Sequence, residues 1–433
     1  MKQFLKKIVA SILATEAAIV IKKYKPKIIA VTGNVGKTSA KDAIFASLSR
    51  ELFIRKSEKS FNSEIGVPLT ILGCQNAWND PFLWAKNILR GLELIFFREE
   101  YPKFLILEVG ADHPGDIRSI SKWLSPDVVV VTRIPEVPVH IEFFTSRGEL
   151  IDEKANLITA LKKGGTLILN ADDADVLRLR ERNKSAKVVT FGIENPADFH
   201  ASGVTLSYGL DGNMKVLSGV EFILDKNGEN KVKLSGVVGI QHVYPVIISV
   251  AVANEFGIDA GRALQPFASY TPPAGRMNIL RGIHKSVIID DTYNSSPIAL
   301  HEAMLVLKNA HSGGRKIAVL GDMLELGMKS NQAHQEAGAF ASKVADILVT
   351  VGMRAKKMGD GALDAGMKAN KIFSFENSSE AGKFLEGFIL KKDLLLVKGS
   401  QGARMEKAIE KILEDAKSAP EVLVRQEEEW KKR

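Results

Sequence analysis

At 433 residues the chain exceeds what one hydrophobic core organises, so two or three domains are expected. Its one cysteine, Cys74, excludes an internal disulfide and a Cys-rich metal centre, and reads as a buried thiol in a reducing compartment. The net charge of +8 would suit a nucleic-acid binder only if it formed a basic stripe; instead seven lysines (2, 6, 7, 22, 23, 25 and 27) against Glu16 put +6 into residues 1–28, and the rest of the chain, at +2, interleaves no basic and aromatic residues.

The first predicted element is an N-terminal amphipathic helix, residues 1–26. Its apolar run is broken by Lys6, Lys7 and Glu16, short of the roughly 20 apolar residues a spanning helix needs. No small-residue cleavage site follows it, which argues against a secretory signal. Two placements stay open: packing on the domain that follows, or a lysine-flanked apolar face resting on an anionic inner membrane. Next, KIIAVTG (27–33) reads as a buried strand and SAKDAIFASLSREL (39–52) as a helix. Further buried strands are predicted at 104–110, 127–134, 165–170 and 187–193, with helical or polar segments between them, which indicates a mostly parallel sheet covered by helices. Between 198 and 238 short alternating segments with turn signals at LDGN and DKNGEN predict antiparallel hairpins attached to the same domain. A helix is expected over 243–258, and YTPPAGR (270–276) reads as a linker. The βα rhythm then restarts with strands at 286–291, 316–322, 346–352, 371–375 and 393–399. The tail from 421 to 433 carries four acids and four bases and is predicted as a surface helix.

The chemistry begins in the loop between the first strand and its helix: Thr32, Gly33, Asn34, Val35, Gly36, Lys37, Thr38 and Ser39. Glycines let the backbone wrap phosphate oxygens, the helix N-terminus adds positive potential, Lys37 reaches the β- and γ-phosphates, and Thr38 is placed to ligate magnesium. The first glycine of the general pattern is absent, Val31 standing in its place, and what remains is the shorter form TGxxGKT[ST]. Glu108 ends a buried strand, where open α/β sheets bind ligands.

That shorter loop is the version found in Mur ligases and folylpolyglutamate synthetases, and the chain resembles a Mur ligase over nearly its whole length. FNSEIGVPLTIL (61–72), LEVGADHPGDI (107–117), DDTYNSSP (290–297) and VLGDMLELG (319–327) are similar to signatures of the branch that adds D-alanyl-D-alanine, with Ser63 replacing a family Asn. The resemblance implies a P-loop central domain at 27–270, a Rossmann-like C-terminal domain at 271–418 and a charged tail at 419–433. It makes Glu108 a partner of Thr38 on the magnesium between the β- and γ-phosphates. His140, in VPVHIEFF, matches the family's second metal ligand, with Glu142 in the matching H-x-E place, although Arg133 stands where the family has Asn. By composition Lys154 is a solvated lysine; the resemblance makes it the lysine that carbon dioxide converts to a carbamate, which requires a neutral amine. Arg276 and Asp291, fifteen residues apart, match the residues that touch the γ-phosphate and the ribose, with Tyr293 and Asn294 bordering the nucleotide. Asn62, Ser63, Lys398 and Ser400 are candidates to meet the substrates; Gln401 replaces a family Arg, and GIQH (239–242) departs from the family's G-x-H-N, so His242 receives no role.

The implied activity is ATP-dependent amide formation through an acyl phosphate, with two magnesium ions, between a muramoyl-tripeptide carboxylate and D-alanyl-D-alanine, in the cytoplasm and with a monomeric enzyme. With the phosphate loop starting at residue 32, the domain that this branch uses to hold the UDP moiety is expected to be missing. Two alternatives stay open: a ligase of the same fold for another carboxylate, such as a poly-γ-glutamate or folylpolyglutamate, and a nucleotide-binding module without ligation.

Overall fold

The computed structural model describes residues 2–57, 61–78, 80–135, 143–225, 229–270 and 272–431. They form two compact units, one of residues 1–203, 222–232 and 241–267, the other of residues 204–221, 233–240 and 268–433.

The first unit opens with helix α1 (Lys2–Tyr24), followed by β1 (Lys27–Thr32) and α2 (Lys37–Leu48). Then come β2 (Ile54–Lys56), α3 (Gly66–Leu72), α4 (Pro81–Phe96), β3 (Phe104–Glu108), α5 (Asp116–Ser121), β4 (Val128–Val131), α6 (Arg147–Thr159), β5 (Thr166–Asn170) and β6 (Lys187–Gly192). The strands pair in parallel in the order β2-β3-β1-β4-β5-β6. Ile28 to Thr32 and Val128 to Val131 are buried because helices cover both faces, so an unbroken β-branched run is stable there, whereas alternation would leave polar side chains in the core. The sheet continues through β7 (Phe199–Asp211), β8 (Met214–Asp225) and β9 (Glu229–Ser235). Gly212, with φ +60°, and Asn213 make the two-residue turn that returns β8 beside β7.

Helix α1 buries Ala10, Leu13, Ala17 and Val20, spaced three and four apart, against α3 and α4. Burying Leu13 and Val20 contributes about 1.5–3 kcal/mol each, which fixes the helix to this unit. The Lys23 ammonium donates to the carbonyls of Leu94, Ile95 and Phe97 at 2.9, 3.0 and 2.5 Å, closing the C-terminus of α4 where orphan carbonyls and the helix dipole favour a cation. At the other end of α4 the Asp80 carboxylate accepts from the backbone N–H of Phe82 and Leu83, with Pro81 in the first turn.

In the second unit β10 (Asn278–Gly282) runs antiparallel to β11 (Ser286–Asp291); β12 (Lys316–Gly321), β13 (Ile347–Val351), β14 (Ile372–Phe375) and β15 (Leu394–Lys398) complete the order β10-β11-β15-β12-β13-β14, parallel from β11 onward. Leu206, Tyr208 and Leu217, from the outer halves of β7 and β8, pack with Met277, Met304 and Leu307 in one of its cores. The tail differs from a surface helix. Single helical turns at Ala419–Val422 and Glu428–Lys431 flank buried Leu423 and Arg425, because the Arg425 guanidinium is drawn onto buried Glu406.

Candidate active site

In the first unit the loop after β1 is shaped by two glycines with positive φ, Gly33 at +133° and Gly36 at +83°. A Cβ on Gly33 would lie 2.0 Å from the Thr132 hydroxyl, so no other residue fits. The loop is pinned to the end of β4. Asn34 N–H donates to the Arg133 carbonyl at 2.8 Å, and the Thr132 hydroxyl donates to the carbonyls of Thr32 and Val35 at 3.1 and 2.7 Å. Gly36 is the N-cap of α2 and supplies no side chain, so the cap position leaves the first amides of the helix uncapped. The Thr32 hydroxyl is buried without a hydrogen-bond partner among the described residues. Open helix amides, an unsatisfied hydroxyl and a bare glycine loop make a cradle for anionic oxygens.

Glu108, buried at the end of β3, stands opposite Val31 of β1. Its carboxylate accepts from the Thr38 hydroxyl at 3.0 Å and the Asn62 amide at 3.4 Å, and Lys41 Nζ lies 3.9 Å away. The Thr38 and Glu108 oxygens form the hard pair that a magnesium ion takes up beside a phosphate, so these residues fit that metal. Asn62 also holds the loop after β3, its carbonyl accepting from Gly110 N–H at 2.8 Å, while the Ser63 hydroxyl accepts from Gly66 N–H at 3.3 Å near the start of α3. Lys154, buried on α6, donates to the Gly33 carbonyl at 3.1 Å. Burial, and next the charge of Lys37, pull its ammonium down to about 7, against the opposing pull of Glu153 and Asp112. Burial also lowers Lys37, opposed by Glu108 and Asp112. Thr38, Glu108 and Lys154 thus gather around one loop from three separate elements. His140 and Glu142 lie outside the described residues.

In the second unit the Arg276 guanidinium stacks 4.1 Å from the centre of the Tyr293 ring. Asp291, at the end of β11, pairs at 2.5 Å with Lys398 at the register-matched end of β15, and Lys398 also donates to the Asn294 carbonyl at 2.9 Å. The Ser400 hydroxyl donates to the Ser295 carbonyl at 3.3 Å and accepts from Leu324 N–H at 2.9 Å, which joins LGDMLELG to the 290–297 segment. Beneath them Asp290 is held up to about 7 by burial, partly offset by hydrogen bonds from Thr292.

Three residues were missed from sequence. Lys41 is buried, donates to Ser57, and approaches Glu108; its place one helical turn after Lys37 was an available signal. Thr132 pins the phosphate loop, and Arg425 donates to the carbonyls of Thr292 and Tyr293 at 2.6 and 3.2 Å; neither has a local sequence signature.

A strand, glycine loop and helix with a magnesium-ready Thr–Glu pair, followed by a second mostly parallel α/β unit, define a nucleotide-using enzyme. Residues 86–253 match the model of the Mur ligase middle domain, and residues 275–401 that of the Mur ligase glutamate ligase domain. The chain belongs to the Mur ligase family of ATP-dependent ligases that form amide bonds. Among curated relatives it is 27% identical over 392 residues to the UDP-N-acetylmuramoyl-tripeptide–D-alanyl-D-alanine ligase of Bacillus subtilis, covering 90% of this chain and 76% of that one. To the Escherichia coli enzyme of the same name it is 26% identical, covering 92% and 79%. Among solved structures, MurF of Acinetobacter baumannii superposes with a TM-score of 0.73 at 25% identity, covering 92% of this chain and 79% of that one. MurF of Thermotoga maritima, in complex with ADP, gives 0.72 at 25% identity, covering 93% and 83%.

Proposed function

We propose that this enzyme joins D-alanyl-D-alanine to the terminal carboxylate of a UDP-linked muramoyl-tripeptide, a step of peptidoglycan precursor synthesis. The observation that carries the chemistry is the convergence of Thr38, Glu108 and Lys154 on the loop held by Gly33. The substrate carboxylate attacks the γ-phosphorus of ATP. A carboxylate–phosphorus bond forms, the bond to ADP breaks, and the amine then attacks the acyl carbon, expelling phosphate and losing its extra proton to solvent. Activation is needed because a free carboxylate is a poor electrophile.

The open amides of α2 and Lys37 hold the phosphates, while Arg276 meets charge on the transferring group through its planar fork. Asp291 is assigned to the ribose, Tyr293 and Asn294 to the rim of the nucleotide, and Asn62, Ser63, Lys398 and Ser400 to the substrates. Two magnesium ions, one held by Thr38 and Glu108 and one by His140 and carbamylated Lys154, would neutralise charge on the phosphoryl oxygens. A lysine titrating near 7 supports that modification, since only the neutral amine adds carbon dioxide. The enzyme is placed in the cytoplasm as a monomer, with peripheral contact at the inner membrane face through residues 1–25.

The test is ADP release by the purified protein with UDP-muramoyl-tripeptide, with and without D-alanyl-D-alanine. Release that requires both substrates is expected. Release driven instead by glutamate on a polyglutamate or folate acceptor would move the assignment to those substrates, and release indifferent to any amine would end the ligase reading.

A further inference from the structure

Helix α4 is apolar around most of its circumference, its charged residues confined to one stripe of Lys86, Arg90 and Glu93. Only part of it is covered. Leu94 and Gly91 face the core, with Trp84, Ile88 and Ile95 packed behind, while Phe82, Ala85, Leu89, Leu92 and Phe96 form an outward stripe at alternating spacings of three and four. Phe82 is 85% exposed and Phe96 75% exposed, and the stripe is extended at its ends by Trp78 at 77% and Phe97 at 68%. Trp78 is held outward, with φ +47°, its N–H bound to the Asn76 side chain and its carbonyl accepting from Trp84 Nε1. On the adjoining α1, Ile8, Ile12 and Ile19 also face outward. Two packed helices therefore present their apolar sides in the same unit, far more exposed aromatic surface than scattered single residues produce.

Charge decides the occupant. Residues 1–28 concentrate a formal +6, of which Lys27 is paired with Asp127 at 3.1 Å; Lys22 of α1 and Lys86 of α4 are exposed, and the acids Glu93 and Glu99 are paired with Arg90 at 3.0 and 2.5 Å. Aromatic and aliphatic side chains with exposed lysines on the same two helices match an acyl boundary under anionic headgroups. No helix among the described residues is long and apolar enough to cross a membrane, so contact is interfacial.

We propose that the outward faces of α4 and α1 form a peripheral binding surface for an anionic lipid bilayer, with Trp78, Phe82, Leu89, Phe96 and Phe97 as its apolar anchors. This shares with the proposed function the placement at a membrane but moves the principal contact from residues 1–25 to α4, and it stands independently of the ligation chemistry.

Deleting α1 cannot test it, because Leu13, Ala17 and Val20 belong to the core. Surface substitutions can. The full chain is sedimented with vesicles of equal parts phosphatidylcholine and phosphatidylglycerol, and with phosphatidylcholine alone, while Trp emission is followed. Binding to the anionic vesicles with a blue shift is expected. The shift should diminish in Trp78→Tyr, and affinity should fall at least about tenfold in Phe82→Ser/Phe96→Ser and several-fold in Lys86→Glu. ADP release, followed alongside, separates failure of this surface from failure of the ligase reading. Absence of vesicle binding at low salt, or undiminished binding by the double variant, overturns the proposal. So does a dimer in light scattering that the double variant dissolves, because the face then belongs to a second copy of the chain.

Discussion

A magnesium-ready pair whose oxygens already lie 3.0 Å apart makes the Thr38–Glu108 contact the most sensitive point of the site. Glu108→Gln keeps the shape and removes the charge, and the rate of ADP release at saturating ATP should fall by roughly 10²-fold or more; a rate within a factor of two of wild type would remove Glu108 from the chemistry. Lys154 gives a prediction with a pH sign. Its ammonium loses a proton near 7, so the amine that captures carbon dioxide is scarce below that pH and abundant above it. Carbon-13 spectra of protein equilibrated with labelled bicarbonate should show a carbamate signal at pH 8 that fades by pH 6 and is absent in Lys154→Arg. The proximity of Thr38 and Glu108 was legible because a glycine loop opening a helix and a carboxylate ending a buried strand are brought to the same edge of a parallel sheet. Lys154 was legible only through family likeness. Nothing local distinguishes it from a solvated lysine, and its burial under the Gly33 carbonyl is a product of the fold.

At the level of elements, the predicted buried strands stood out as β-branched runs and were located to within three residues at either end, because strands covered on both faces admit few alternatives. The packing of α1 was left open by its sequence and is settled by partners supplied from α3 and α4. Its one acid, Glu16, is buried against Gly91, and both carboxylate oxygens lack a partner among the described residues. Burial raises it to about 7. The folded state thus holds the proton more tightly than the unfolded chain between about pH 4.5 and 7, and stability declines as pH rises through that window. Glu16→Gln should therefore raise the melting temperature at pH 8, by the equivalent of roughly 1–3 kcal/mol, and change it little at pH 5; equal effects at both would contradict a charged, buried carboxylate. The tail was misread as a surface helix because its alternating charges look solvated, whereas Arg425 is engaged by Glu406 and the loop carbonyls of Thr292 and Tyr293. Arg425→Ala leaves Glu406 without one of its two arginines and should cost about 3–5 kcal/mol, measured by chemical denaturation, with a raised KM for ATP as the 292–293 loop loosens.

On the scale of the whole molecule, the alternating texture of 198–238 announced hairpins, but periodicity does not say which core each half of a long strand will enter. Leu206, Tyr208, Leu217 and Val238 complete a core otherwise built from residues beyond 268. A fragment starting at residue 268 should consequently bind a hydrophobic dye and unfold with a shallower denaturant slope than its length predicts; a sharply cooperative, dye-free fragment would show these four side chains to be dispensable. The same interleaving imposes an order on biosynthesis. As the chain leaves the ribosome, the outer halves of β7 and β8 emerge roughly 180 residues ahead of Leu394 and Leu396 of β15, the last members of the core they join, a wait of about 10–40 s at ordinary translation speeds. Until β15 arrives, a pair of long strands stands with its apolar side chains incompletely covered, the kind of exposed surface that a chaperone shelters on a nascent chain.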